Sequence, residues 1–331
     1  MKKKILLATA LFITQFSIAQ VLFTEDFNSY PAGHLNTDYT GTTVGQGGWV
    51  TTRHANASTT AMVTPETGKG NVVIFTTNAT TSFENVQVMQ NAGVVDVLWN
   101  NRTTGNNVLK FEYEVYGTGF FNAYGNLNSN NSNFMILRFA STTVHYIETQ
   151  HAGTNNAQVI LKNYTATTFP HNMWIKVELF VDYNAQIAYW YIPTLNLFKA
   201  DALTSSTVYL PDNIYFAADW LKPTTSVVKF DNITLTALQS VPTYILSANE
   251  WVSSTFNIYP NPATNVVNIT NSENMLLEKV TVYDITGKQL STQNYNNETQ
   301  IQLNVENLAS GTYMLHIQTN AGLGVKKLVK K

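Results

Sequence analysis

Period-two alternation of apolar and polar residues constrains this chain more than any other feature. In residues 174–182, Ile175, Val177, Leu179 and Val181 fall on one side. Trp174, Lys176, Glu178, Phe180 and Asp182 fall on the other. Successive side chains of a strand point to opposite faces, so this spacing predicts a half-buried strand. Residues 182–186 read as a turn into a second strand at 187–192, making a hairpin. Residues 108–116 repeat the pattern, with Phe111, Tyr113 and Val115 facing one way and Glu112 and Glu114 the other. Further strands are predicted at 134–139, 144–148, 157–161, 213–217 and 227–238. Gly- and Asn-rich stretches at 105–107 and 126–133 read as loops. Helical periodicity is almost absent, so the expected fold class is all-β, built as sandwiches.

Composition narrows the function. Charged residues make up 12% of the 331 residues, and the formal net charge is −2. Residues 20–238 hold 15 acids against 10 bases, and residues from 256 onward hold 5 against 6. Neither part carries the basic stripe that a phosphate backbone requires, so no nucleic-acid partner is expected. With 0 cysteines, disulfides, thiol nucleophiles and Cys-ligated metals are excluded. The N-terminus has a basic run at Lys2, Lys3 and Lys4, an apolar stretch at 5–13 and a small-x-small ending at Ser17 and Ala19. That is the layout of a cleavable secretory signal, with the cut between Ala19 and Gln20. The apolar stretch is about half the roughly 20 residues of a spanning helix, and no transmembrane segment is expected elsewhere. The expected organisation is a leader at 1–19, a β-sandwich at 20–238, a linker at 239–255 and a small second sandwich at 256–331.

Four motifs near the C-terminus occur in order: FNIYPNPATNVVNI at 256–269, VTVYDITGK at 280–288, LASGTYMLHI at 308–317 and KKLVKK at 326–331. Together they resemble the type A C-terminal sorting domain of the type IX (Por) secretion system. The resemblance rests on Tyr259, Pro260, Asn261, Pro262, Gly287, Gly311 and Tyr313. It implies a small Ig-like sandwich that the secretion machinery recognises and a surface sortase removes. The chain would then be released or held at the cell surface. Independently of the resemblance, Pro260 and Pro262 lack N–H donors and mark a strand edge or entry turn.

In the larger region, LFTEDFNSYPAG at 22–33, GQGGW at 45–49, IYFAAD at 214–219 and VKFDNITL at 228–235 resemble concanavalin A-like or laminin-G-like jelly rolls. First and last strands are neighbours in such a fold. Glu25 is in register with Phe23 and Phe27, and Asp231 with Ile233 and Leu235. Either a structural calcium joins these two carboxylates, or each caps a turn or meets a backbone N–H. Jelly rolls host glycosidases, lyases and lectins alike. The residues FEYEVYG at 111–117 hold two acids on one face, with Gly117 where a glucanase would have a third. No intact catalytic motif is found. Aromatics beside polar groups suit sugar rings, so Glu112, Glu114, Trp174, Phe180 and Trp190 are the candidate ligand-binding residues. The expected role is noncatalytic binding of polysaccharide, surface glycan or another adhesion partner. The alternative is a divergent polysaccharide hydrolase or lyase using Glu112 and Glu114.

Overall fold

The computed structural model describes residues 19–54, 59–76, 84–90, 93–129, 132–151, 158–195, 197–203, 209–220, 226–242, 244–245, 255–272, 275–284, 289–319 and 322–331. The expected leader, apart from Ala19, and Gly287 lie outside those residues. The described chain is almost entirely antiparallel β, arranged as a jelly-roll sandwich followed by a small second sandwich.

The larger sandwich has two sheets. The nine-stranded sheet runs β14 (Leu197–Ala202), β13 (Ile187–Ile192), β12 (Ile175–Asp182), β7 (Val108–Thr118), β16 (Val227–Leu238), β5 (Gly70–Thr76), β4 (Thr60–Glu66), β2 (Gly33–His34), and β1 (Gln20–Glu25) also pairs with β16. The seven-stranded sheet runs β11 (Val159–Tyr164), β10 (His145–His151), β9 (Ser132–Ser141), β8 (Phe121–Ser129), β15 (Asn213–Trp220), β6 (Glu84–Gln90), β3 (Trp49–Arg53). First and last strands of this sandwich are neighbours, as expected: Glu25 lies opposite Ile233.

Strand β16 changes partners along its length. Residues 227–230 pair with β5, and residues 233–237 pair with β1. A bulge between Asp231 and Thr234 marks the change, and Asn232 takes a positive φ of 51° there. An extra residue reverses the parity of the strand beyond it. Asp231 therefore faces outward opposite Glu114, while Ile233 and Leu235 are buried. The expected shared face of Asp231, Ile233 and Leu235 is corrected by this bulge.

The predicted loop at 126–133 is also corrected. Residues Phe121–Ser129 form β8 and Ser132–Ser141 form β9. Ala123 and Leu127 are buried on the inner side, while Asn122, Tyr124 and Asn126 alternate with them. Its Asn and Gly content hid a strand with ordinary alternation. Gly125 is there because the two sheets touch: a Cβ on Gly125 would lie 2.2 Å from the buried Tyr113 ring.

The smaller sandwich packs a three-stranded sheet, β17 (Phe256–Tyr259), β18 (Val266–Asn271), β21 (Gln300–Asn304), on a four-stranded sheet, β20 (Gln289–Glu298), β19 (Leu277–Asp284), β22 (Gly311–Thr319), β23 (Gly322–Lys330). Val267, Ile269, Val280, Val282, Leu303, Leu315, Ile317 and Leu328 fill its interior. Val241 and Ile245 do not hang free between the sandwiches. Val241 and Ile245 are buried against Val108, Phe180 and Tyr189 on the outer face of the nine-stranded sheet. Phe198 touches both this strip and the core of the smaller sandwich.

Replacing Gly125 with alanine tests the sheet-to-sheet contact. Overpacking costs about 1–3 kcal/mol, so Gly125→Ala is expected to lower the thermal midpoint by several degrees in a calorimetric melt.

Candidate functional site

The residues singled out in the sequence do not form one site. Leu179 pairs with Trp190, and Phe180 with Tyr189, so the two rings lie on opposite faces of the hairpin. Trp190 is fully buried in the core, and its indole N–H donates to the Ile136 carbonyl at 3.3 Å. Phe180 is fully buried beneath Val241, Ile245 and Tyr244. Neither ring reaches solvent, so both expectations of a ligand contact are corrected. Distant chain segments seal faces that alternation alone leaves open.

Glu112, Glu114 and Trp174 do share the outer face of the nine-stranded sheet, inside a web of ion pairs. Glu112 is paired with Lys110 and lies 3.9 Å from Lys176. Glu114 is paired with Lys69 and accepts from the Asn232 side chain. Lys69 sits 4.2 Å over the Trp174 ring, and Tyr116 flanks that ring at 5.6 Å. Glu178 meets Lys176 at 3.0 Å, Lys110 at 3.2 Å and the Tyr244 hydroxyl at 2.9 Å. These carboxylates are matched by neighbouring lysines.

Glu25 and Asp231 do not fit a calcium ion. Glu25 accepts from the Phe27 amide at 2.7 Å, from the Tyr30 hydroxyl and from the Trp49 indole at 3.2 Å. Its two oxygens are engaged in holding the first turn against the core. Asp231 lies 3.4 Å from the Lys69 ammonium, where a divalent cation would be repelled. No cluster of three or more metal-ligating carboxylate or imidazole groups occurs among the described residues. A depression of about 590 Å³ lies between Glu25 and Glu112, but these two acids already have these partners, and Asp26 on its wall accepts from the Asn28 amide at 3.0 Å.

A different surface has the makings of a site. The outer face of the seven-stranded sheet carries a depression of about 380 Å³. Its floor is a grid set by strand register. One rank runs Gln87, Ala217, Tyr124, Arg138, Glu148 across β6, β15, β8, β9 and β10. The rank on one side includes Asn85 and Asp219, and the rank on the other includes Tyr215, Asn126, Ile136 and Gln150. Arg138 lies 2.9 Å from Glu148, 5.8 Å from the Tyr124 ring and 5.0 Å from the Tyr146 ring. Burial pushes the carboxyl of Asp219 upward, against the Tyr124 hydrogen bond and Arg138. Burial likewise raises Glu148, against Arg138. Tyr124 and Tyr215 are raised by burial and by Asp219, so both remain neutral hydroxyls. Asn126 is 2% exposed, and its Oδ1 has no hydrogen-bond partner. The sequence signal for this site was the alternation Asn122, Tyr124, Asn126 against Ala123 and Leu127, inside the stretch read partly as loop.

In the smaller sandwich, the expected motif residues come together. Asn261 donates to the Lys327 carbonyl at 2.8 Å and accepts from the Val329 amide at 2.9 Å. Ala263 donates to the Val329 carbonyl, and Lys331 donates to the Ala263 carbonyl, each at 2.8 Å. The segment holding exposed Tyr259, Pro260 and Pro262 is thus clasped to the last strand. The Tyr313 hydroxyl donates to the Ala309 carbonyl at 2.7 Å, bracing the turn into β22, which Gly311 opens.

Residues 257–331 match the family described as the secretion system C-terminal sorting domain. The tail is a sorting domain. It implies export by the type IX system to the cell surface or the medium. No helix among the described residues is long and apolar enough to cross a membrane. No curated protein matches the chain. Solved structures with a similar course include the CBM2 module of the Lactobacillus casei BL23 phage J-1 evolved Dit, at 9% identity and a TM-score of 0.42, covering 68% of this chain and 98% of that one. Basic winged bean lectin with Tn-antigen has 11% identity and a TM-score of 0.37, covering 65% and 97%. A sialidase has 9% identity and a TM-score of 0.41, covering 78% of this chain but only 23% of its own. Likeness this distant decides nothing about ligand or chemistry.

Asp231 gives a pH prediction. Burial pushes its carboxyl up to about 6, against the Asn232 amide and Lys69. A carboxyl raised on folding holds its proton more tightly in the native state. Stability therefore falls as pH rises from about 4 to about 6. Asp231→Asn is expected to flatten that part of a stability-versus-pH curve measured by urea titration. An unchanged slope would place the penalty elsewhere.

Proposed function

We propose that this is an exported, noncatalytic polysaccharide-binding protein, delivered in two steps. The leader ending at Ala19 takes the chain across the inner membrane, and the sorting domain takes it onward to the surface or the medium. The large sandwich then binds glycan in the depression on its seven-stranded sheet. The observation that carries this reading is the grid around Tyr124, Arg138 and Asn126. It combines aromatic faces, fixed neutral hydroxyls and an unpartnered amide oxygen in one open depression. Aromatic rings cover C–H faces of sugars, and amides and hydroxyls meet their hydroxyl groups.

The arrangement of acids favours binding over hydrolysis. Glu148 on β10 and Asp219 on β15 are separated by β9 and β8, Glu148 is engaged by Arg138, and Asp219 is hydrogen-bonded by Tyr124. Glu112 and Glu114, on the opposite sheet, are held by lysines.

Two outcomes are expected. In affinity electrophoresis of the mature chain against a panel of polysaccharides, Tyr124→Ala and Tyr215→Ala should each weaken retardation about tenfold, since a stacking or hydrogen-bonding aromatic contributes on the order of 1–2 kcal/mol. Trp174→Ala and Glu114→Gln, on the other sheet, should leave retardation unchanged. The reverse pattern would move the site to the nine-stranded sheet. Separately, removal of residues 257–331 is expected to leave the remaining sandwich inside the outer membrane, as read by fractionation. Surface display of the truncated chain would refute the export assignment.

A further inference from the structure

The depression on the seven-stranded sheet also constrains the class of glycan. We propose that its ligand is an uncharged polysaccharide, with a sugar hydroxyl donating to Asn126 Oδ1. This inference rests on the binding reading above and adds the chemical class.

The charges around the depression are few and nearly balanced. Arg138 is the one cation among the residues described as lining it, and Glu148 lies 2.9 Å from that guanidinium. Asp219 adds a second acid, hydrogen-bonded by Tyr124. A uronate or sulfate polymer would bring repeated negative charges to a surface with two carboxylates and a single, already engaged arginine. Like charges at close range repel, and most strongly where water is partly excluded. Most of the remaining polar lining is neutral, supplied by Asn85, Gln87, Gln150 and Gln158.

Asn126 supplies the contact. Its Oδ1 is buried and unpartnered, on the floor of the depression beside Tyr215 and Ile136. A buried acceptor without a donor is rare in folded proteins and costs stability. A carboxylate or sulfate oxygen cannot fill that vacancy, because it only accepts. A sugar hydroxyl can, on any glycan, so Asn126 calls for a sugar hydroxyl while the balance of charges around the depression selects the uncharged class.

The test uses the mature full-length chain in affinity gels at physiological salt. One set of gels contains uncharged polymers, such as β-glucan, xylan and galactomannan. The other contains alginate, pectate or a sulfated galactan. Retardation by at least one neutral polymer and by none of the anionic ones is expected. Asn126→Leu, which keeps the size but removes the acceptor, should weaken retardation at least tenfold. Asn126→Asp keeps an acceptor oxygen in nearly the same place and should retain more affinity than Asn126→Leu. Thermal melts of both variants identify loss of fold. If either melts early, the affinity of its folded fraction is measured by titration at lower temperature. Retardation by anionic polymers alone would overturn the uncharged class while leaving polysaccharide binding intact. Neutral binding indifferent to both Asn126 variants would overturn the role of that oxygen. Retardation by no polymer would overturn the binding reading itself, and this inference with it.

Discussion

Four aromatic rings hold the two sheets of the large sandwich together, and the position of every other feature depends on them. Tyr113 and Phe111 come from β7, Phe216 from β15 and Phe230 from β16, with centroids 4.6–6.2 Å apart. Each is almost completely buried, and full burial of such a ring contributes about 1.5–3 kcal/mol. Their depth forces a glycine at position 125, where Tyr113 presses on the backbone of β8. The residues on either side of that glycine, Tyr124 and Asn126, both face the depression. The core therefore sets the height of the floor of the depression directly, strand against ring.

The two outer faces of the sandwich have diverged for a physical reason. On the nine-stranded sheet, lysines and glutamates pair with one another, and Val241, Tyr244 and Ile245 cover the apolar end. That face is closed electrostatically in one part and by packing in another. On the seven-stranded sheet the polar groups are mostly uncharged, so they have weaker mutual partners. That is the physical ground on which the proposed glycan site rests. Such a surface resists salt and pH better than an ionic one.

Alternation made the all-β class legible, and the paired first and last strands followed from the resemblance of their motifs. The tail was legible because its motifs are dense and ordered. Three failures share one cause. Trp190 and Phe180 were assigned to an open face, Asp231 to the core side, and 126–133 to a loop. Each depended on something non-local: the facing sheet over Trp190 and the cover of Val241 and Ile245 over Phe180, a bulge at Asn232, and a glycine demanded by Tyr113 across the sheets. Period-two reasoning sees one strand at a time. It cannot see what lies above a face or when a bulge has reversed it. The candidate site lay on the strand whose composition looked least like a strand, since a binding floor needs Asn and Tyr where an ordinary strand would carry Thr or Val.

The clasp between Asn261 and the last strand has a mechanical consequence. Asn261 and Ala263 bond to Lys327, Val329 and Lys331, so the entry segment and β23 form one mechanical edge. A pull on exposed Tyr259, Pro260 or Pro262 is passed straight to the lysine-bearing strand, without crossing the apolar interior.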